Sequence, residues 1–219
     1  MKNYIFRDDV ERDITIGKLV CLARTYKKHA QEMNSDITKE PLLFLKPASS
    51  VIFNGDTIKI PKMSNCIHHE VELGVVIGKE CKNISKKDAI NYVLGYLVAL
   101  DITARDIQAN LKKKGWPWGI SKGFDTFAPI SDVVLKEDVS NPQNLDILLK
   151  VNGHIRQSSN TGSMIFSIEE IIEYISNIMT LELGDLIMTG TPEGVGEILS
   201  GDILEAQLGN ICSLKVFVE

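Results

Sequence analysis

The 219-residue sequence has no pair of cysteines in C-x-x-C spacing: Cys21, Cys66, Cys81 and Cys212 stand far apart. A zinc ribbon or a disulfide framework is therefore unsupported, and the thiols are expected to be reduced and mostly buried. Long apolar runs are also missing. The longest, Tyr92 to Leu100, has the length of a buried strand and falls well short of the roughly 20 residues of a membrane helix, so no membrane partner is expected. Neither sign of charge is concentrated. The 24 basic and 29 acidic residues are spread along the chain for a net charge of -5, which leaves no positive field for phosphate backbones and excludes nucleic acid as a partner. Low-complexity tracts, repeats and Ser/Gly linkers are absent as well. The start, "MKNYIFRDDVERDITIG", carries Asp8, Asp9, Glu11 and Asp13. That suits neither a secretory signal nor an acid-poor transit peptide, so the expected address is the cytoplasm.

What is present is 44 % apolar residues, enough for a single well-filled core. The organisation expected is one domain over residues 17–219 behind a short N-terminal extension, 1–16. "KLVCLA" (18–23) is β-rich, and "YKKHAQEM" (26–33) has helical composition. Asn54-Gly55, Asn152-Gly153 and Gly209-Asn210 each stand between β-prone runs and predict tight hairpins. Ser85 and Thr103 read as N-caps, the second of a helix ending near Gly115. Ser167 with Glu170 forms a capping box ahead of apolar residues at 171, 172, 175, 178 and 179. Strands outnumber helices by about two to one and do not alternate with them, which argues against Rossmann and TIM architectures. The expected fold class is β-rich α+β, a mixed β-sandwich or roll with short helices at its margin.

"HHEVELGVVIG" (68–78) puts two acids into an otherwise apolar strand. Residues i and i+2 share a strand face, so Glu70 and Glu72 project together, opposite Val71, Leu73 and Val75. Burying unpaired carboxylates costs several kcal/mol each. The face is solvated, paired with Lys or Arg, or occupied by a metal. "NYVLGYLVALDITARD" ends its apolar run on Asp101, a position for a ligand or for a helix cap. Together Glu70, Glu72 and Asp101 would form an all-oxygen set that selects Mg²⁺, Mn²⁺ or Ca²⁺ and leaves coordination positions for a chelating substrate. A zinc set of Cys66, His68, Glu70 and Glu72 also shares one parity, but on a straight strand it spans about 20 Å, too far to meet at one ion.

"HHEVELGVVIGK", "GYLVALDITARDIQ", "KKKGWPWGISKGFDTFAP", "LKVNGHIRQSSNTGSMIFSIEEIIEYIS" and "LELGDLIMTGTPEGVG" stand in an order and spacing that resemble the fumarylacetoacetate hydrolase family, above all its short, single-domain acylpyruvase-type members, over residues 17–219. The resemblance implies a mixed β-roll paired into a homodimer, with Mg²⁺ or Mn²⁺ on Glu70, Glu72 and Asp101. It also implies a 2-oxo acid substrate that passes through an enolate. His29 and Glu32, three apart on a short helix, become in that light a water-activating dyad on a lid, since a carboxylate that fixes an imidazole tautomer raises its basicity. Lys122 matches the lysine facing the developing negative charge. Arg105 and Gln108, one turn apart, would bind a substrate carboxylate, position water or support the ligands.

Thr191, in "MTGTPEGVG", matches a hydroxyl that meets the substrate carboxylate. That loop lacks the residues of a P-loop. The family's "GRNY" is here "ARTY", with Ala23 and Thr25 around Arg24, a further candidate for substrate binding and a departure that bears on the lid. "KKK" (112–114) reads as a solvated helix C-terminus, and Trp116 and Trp118 as braces of the following loop. The leading expectation is a divalent-metal-dependent hydrolase that cleaves a C–C bond of acylpyruvate-like or related 2-oxo (di)carboxylic acids, with oxaloacetate decarboxylation as an added capacity. The alternatives are an isomerase or tautomerase of 2-hydroxy-dienoate or oxaloacetate type, and a non-catalytic Ca²⁺-binding β module.

Overall fold

In the computed structural model, which describes residues 2–8, 10–33, 36 and 38–219, the unbroken apolar segments form the middle of a six-stranded sheet. Its order is β10 (Val134–Leu135), β7 (Val93–Leu100), β6 (Val71–Ile77), β13 (Leu186–Met188), β1 (Leu19–Ala23) and β2 (Leu42–Lys46). Only the β1–β13 pair is parallel. A strand reads as continuously apolar when both of its faces are covered, and here both are. Val71, Leu73, Val75, Val98 and Leu100 join a core with the second large sheet and a helix. Val76, Leu97, Ala99, Leu186 and Met188 pack on the other side against Tyr4, Phe6 and Ile16 of the N-terminal segment. The described part of that segment is thus built into the fold, and the Tyr4 hydroxyl donates to the Gly184 carbonyl at 3.0 Å.

The second sheet has the order β12 (His154–Asn160), β11 (Asp146–Val151), β15 (Ile203–Leu208), β16 (Cys212–Val218) and β4 (Thr57–Ile58). One of its faces meets solvent, and β16 alternates buried and exposed residues accordingly. Smaller pieces complete the roll: β14 (Gly196–Glu197), β5 (Ile67–His69) and β8 (Thr103–Ala104) in one sheet, and β3 (Val51–Ile52) with β9 (Ala128–Pro129) in another. The helices are α1 (Lys27–Glu32), α2 (Arg105–Lys114), α3 (Gly119–Lys122) and α4 (Ile168–Ile178). This is the β-rich class expected from sequence. Among the described residues no helix is long and apolar enough to cross a membrane, and the four cysteines are free, two buried and two half-buried.

Local chemistry accounts for most elements. Asn152 and Gly153 both take positive φ, 51° and 78°, as the turn between β11 and β12 requires. The β15–β16 hairpin turns at Gly209. The capping box of Ser167 and Glu170 starts α4, which buries Ile168, Ile171, Ile172 and Ile175 but leaves Ile178, in its last turn, exposed. Three sequence expectations are corrected. Asn54-Gly55 does turn, with Gly55 at φ 87°, but β3 pairs with β9 and β4 with β16, because a local turn does not choose the partners of the strands it joins. Ser85 opens turns followed by a single 3₁₀ segment, Ala89–Tyr92, instead of an α-helix. Thr103 lies in β8 and caps nothing; the N-cap of α2 is Ala104, without a side-chain cap.

Candidate active site

Register brings the acids together. β6 and β7 pair with Val71 opposite Leu100 and Glu72 opposite Ala99. One step further, the Asp101 N–H donates to the Glu70 carbonyl at 2.8 Å. Residues opposite one another on an antiparallel pair share a face, as do residues i and i+2, so Glu70, Glu72 and Asp101 must converge. They are 5 %, 1 % and 0 % exposed, and one carboxylate oxygen from each lies within 4.8 Å of the others.

Three cations reach this cluster. The Lys122 ammonium, held by α3 and buried, donates to Glu70 Oε2 at 2.9 Å, to Thr103 Oγ1 at 2.6 Å and to Asp101 Oδ2. Lys46, at the end of β2, donates to Asp101 Oδ1 at 2.5 Å and to the Ile102 carbonyl at 3.1 Å. Arg105 donates through Nη2 to Glu70 Oε1. Three buried acids therefore face three cations, and the charges would balance with all three acids ionised. Glu72 receives only the Gly190 N–H, at 2.8 Å, and no cation's hydrogen bond among the described residues. Burial, then Asp101 and Glu70, push its carboxyl well above the usual range. Burial would raise Glu70 too, but Lys122 and Arg105 outweigh it and draw that carboxyl down.

The donor set fits a hard divalent ion: three convergent carboxylates, with no thiol or imidazole among them. Tyr26 adds a second indication. Its hydroxyl is buried without a hydrogen-bond partner among the described residues, and burial and then the Glu72 charge push the phenol's pKa up.

The walls of the adjoining cleft carry the remaining candidates: Arg24, His29, Arg105, Gln108, Lys122 and Thr191 all line it together with Glu70 and Glu72. His29, on α1, is 7 % exposed, and its Nδ1 lies 3.3 Å from Glu32 Oε2. That contact fixes the proton on Nδ1 and leaves Nε2 for proton transfer. Glu32 also accepts the Gly194 N–H at 3.1 Å, which ties α1 to the loop bearing Thr191. Arg105 is engaged with its neighbours, donating to Gln108 Oε1 at 2.7 Å and through Nε to His68 Nδ1 at 3.4 Å besides its bond to Glu70. It thus supports the acid cluster and orients Gln108.

Arg24 stands at φ 61°, and the neighbouring Thr25 hydroxyl donates to the Thr189 carbonyl at 2.7 Å. Gly190, at φ 93°, leaves room for that hydroxyl, since a Cβ there would fall 2.0 Å from Thr25 Oγ1. The "ARTY" variation thereby anchors the segment entering α1 to the loop after β13.

Sequence reasoning missed two groups. Lys46 had a signal, a lysine closing the apolar run "LLFLKP". Gln157 had none: its Oε1 accepts from the Val71 N–H and from His69 Nδ1, both at 3.0 Å, while its Nε2 donates to Thr191 Oγ1 at 2.8 Å and to the Pro192 carbonyl at 3.0 Å. Lys112 also departs from expectation. It lines the cleft, whereas Lys114 lies over the exposed ring of Trp116.

A family model described as fumarylacetoacetate (FAA) hydrolase C-terminal matches residues 18–219. The chain belongs to the fumarylacetoacetate hydrolase family. Among its relatives in this family of enzymes, the oxaloacetate tautomerase FAHD1 of Bos taurus is 47 % identical over 201 residues, 92 % of this chain and 91 % of that one. An oxaloacetate decarboxylase of Dictyostelium discoideum is 49 % identical over 189 residues, 86 % and 87 % of the two chains. A crystal structure of fumarylpyruvate hydrolase from Pseudomonas aeruginosa in complex with Mn²⁺ and pyruvate superposes with a TM-score of 0.94 at 34 % identity, over 98 % of this chain and 94 % of that one. The family thus joins tautomerase, decarboxylase and hydrolase chemistry on one β-roll.

Proposed function

We propose that this chain is a Mg²⁺- or Mn²⁺-dependent enzyme of small 2-oxo dicarboxylic acids, interconverting the keto and enol forms of an oxaloacetate-like substrate. The observation that carries the reading is the buried cluster of Glu70, Glu72 and Asp101 with Lys46, Lys122 and Arg105. Glu70, Glu72 and Asp101 would hold the ion; with all three ionised and matched by Lys46, Lys122 and Arg105, a divalent ion would leave a double positive charge, the complement of a doubly charged acid. When bound, the ion supplies Lewis acidity toward the 2-oxo group.

The chain's own residues carry the proton. His29 Nε2 takes a proton from the carbon beside the 2-oxo group, Glu32 stabilises the imidazolium through Nδ1–H, and the same proton returns to oxygen to give the enol. Lys122 stabilises the negative charge that grows on the enolate oxygen, an interaction stronger in the transition state than in the ground state. Arg24, Gln108 and the Thr191 hydroxyl bind substrate oxygens. The high identity to proteins named for oxaloacetate tautomerisation and decarboxylation supports this reading.

Hydrolysis of an acylpyruvate is a second reading, supported by the likeness to the fumarylpyruvate hydrolase. In it the same His29 takes its proton from water, the hydroxide adds to the distal carbonyl, and the C–C bond breaks to give a carboxylic acid and the enolate of pyruvate, whose carbon takes the proton back from the His29 imidazolium. Assays of the purified protein with oxaloacetate and acetylpyruvate, with Mg²⁺ and after EDTA, test both. Metal-dependent loss of enol absorbance is expected for oxaloacetate; no metal-dependent rate on either substrate sinks the reading. A homodimer belongs to the same proposal. The half-exposed Leu45 and Trp116, 49 % and 56 % accessible, line one shallow groove on the edge strand β2 and offer apolar surface to a second copy. Light-scattering mass in solution is the check.

A further inference from the structure

Helix α2 presents three donors to the cleft, Arg105, Gln108 and Lys112. They stand at i, i+3 and i+7, which puts them on one helix face. Arg105 and Gln108 lie at the floor beside Glu70. Lys112 stands one turn farther out, about 6 Å along the axis, at the exposed end.

A cation–π contact and a tilted pair of rings line its side of the cleft. The Lys112 ammonium lies 5.0 Å from the Trp118 ring centre, the Trp118 ring 5.9 Å from that of Phe44, and Phe44 in turn 4.9 Å from the Lys122 ammonium. Two aromatic rings thus separate a cation at the acid cluster from a cation at the cleft mouth. The inner cation is matched by Glu70 and Asp101. Lys112 forms no ion pair with any described carboxylate and has only the face of Trp118 beneath it. Burial of its end in the cleft, then Arg105 and Arg24, draw its pKa down, as expected where positive charge is in surplus.

We propose that Lys112 reads the second carboxylate of the substrate, selecting 2-oxo dicarboxylic acids over 2-oxo acids whose far end is uncharged. The assignment rests on the proposed function for the position of the chelated end, near Glu70, Glu72 and Asp101. From there a short dicarboxylate extends along α2 past Gln108, and its distal carboxylate meets the one cleft-lining lysine without an acidic partner. Arg24, which also lines the cleft, adds attraction but has no ring among the described residues to hold it as Trp118 holds Lys112.

The test compares the wild type with Lys112→Met, which keeps the apolar stem, and with Lys112→Arg, which keeps the charge. In the Mg²⁺-loaded enzyme, the ratio of kcat/KM for oxaloacetate to that for acetylpyruvate should fall about ten- to hundredfold in Lys112→Met, the loss expected of one charge-assisted hydrogen bond, and should recover in Lys112→Arg. The loss should lie in KM and not in kcat. Calorimetric titration with 2-oxoglutarate and 2-oxobutyrate reads the same preference without turnover, and its Kd ratio should collapse in Lys112→Met. An unchanged ratio, or an equal loss on both members of each pair, overturns the assignment. A wild type that turns over neither substrate removes the proposed function, while the titration still decides the role of Lys112.

Discussion

The Lys46 ammonium sits 2.5 Å from Asp101 Oδ1, with the two side chains 0 % and 1 % accessible. Such a pair is costly to break from one side, since the remaining charge has no water to turn to. Lys46→Met should destabilise the protein by about 3–5 kcal/mol, read as a lower midpoint in urea denaturation. Asp101 keeps its bond from Lys122 in that variant, so Asp101→Asn, which deprives the buried Lys122 of a partner, should not restore the loss.

Divalent metal should bind the native state only, since the three acids converge only through the β6–β7 register. Mg²⁺ or Mn²⁺ at a hundred times its Kd should therefore stabilise the fold by about 2.7 kcal/mol, visible as a rise in Tm that EDTA reverses. Glu70→Gln, Glu72→Gln and Asp101→Asn should each reduce that rise. A rise that persists in all three would place the ion elsewhere.

His29→Gln removes the proposed base and leaves the acid cluster in place. Turnover should fall about 10²- to 10⁴-fold while the metal-dependent rise in Tm persists. Glu32→Gln should cost less, because the imidazole stays in the cleft and loses only the carboxylate that holds its tautomer. If oxaloacetate tautomerisation survives His29→Gln while acetylpyruvate cleavage is lost, His29 serves water activation and another group carries the tautomer proton.

The hydrogen bond from Lys86, aided by the Ser167 backbone N–H, holds the Glu170 carboxyl below its usual range. A carboxyl whose pKa is lower in the folded than in the unfolded chain stabilises the fold in full above the unfolded value. That contribution disappears as pH falls through the folded value. Glutamine can keep the capping box but not the charge. Melting curves of wild type and Glu170→Gln should thus be separated at neutral pH and converge as the pH falls below the ordinary glutamate range.

The acid cluster was legible in the sequence because a strand repeats every two residues: Glu70 and Glu72 had to project together, and Asp101 closed an apolar run of strand length. The pairing that places Asp101 opposite Glu70 was not legible, since register depends on the whole sheet. The same limit explains the Asn54-Gly55 expectation, where the turn was right and the partners wrong. Gln157 stayed hidden because its partners lie 34 or more residues away, and a glutamine among serines carries no local sign of burial. Lys112 was read as one of three solvated cations because composition cannot tell which of "KKK" turns toward a cleft. Thr103 looked like a cap because it precedes a helix, yet its hydroxyl serves the Lys122 ammonium.

Because the acids at the heart of the roll meet bases supplied by the same chain, the polypeptide brings its own counterions to the place where a metal would go. Small domains that collapse only around zinc have no such provision. On the proposed function, assembly and loading would be separable events: the finished molecule would stand idle without metal, and the ambient supply of magnesium or manganese would set what share of it is at work.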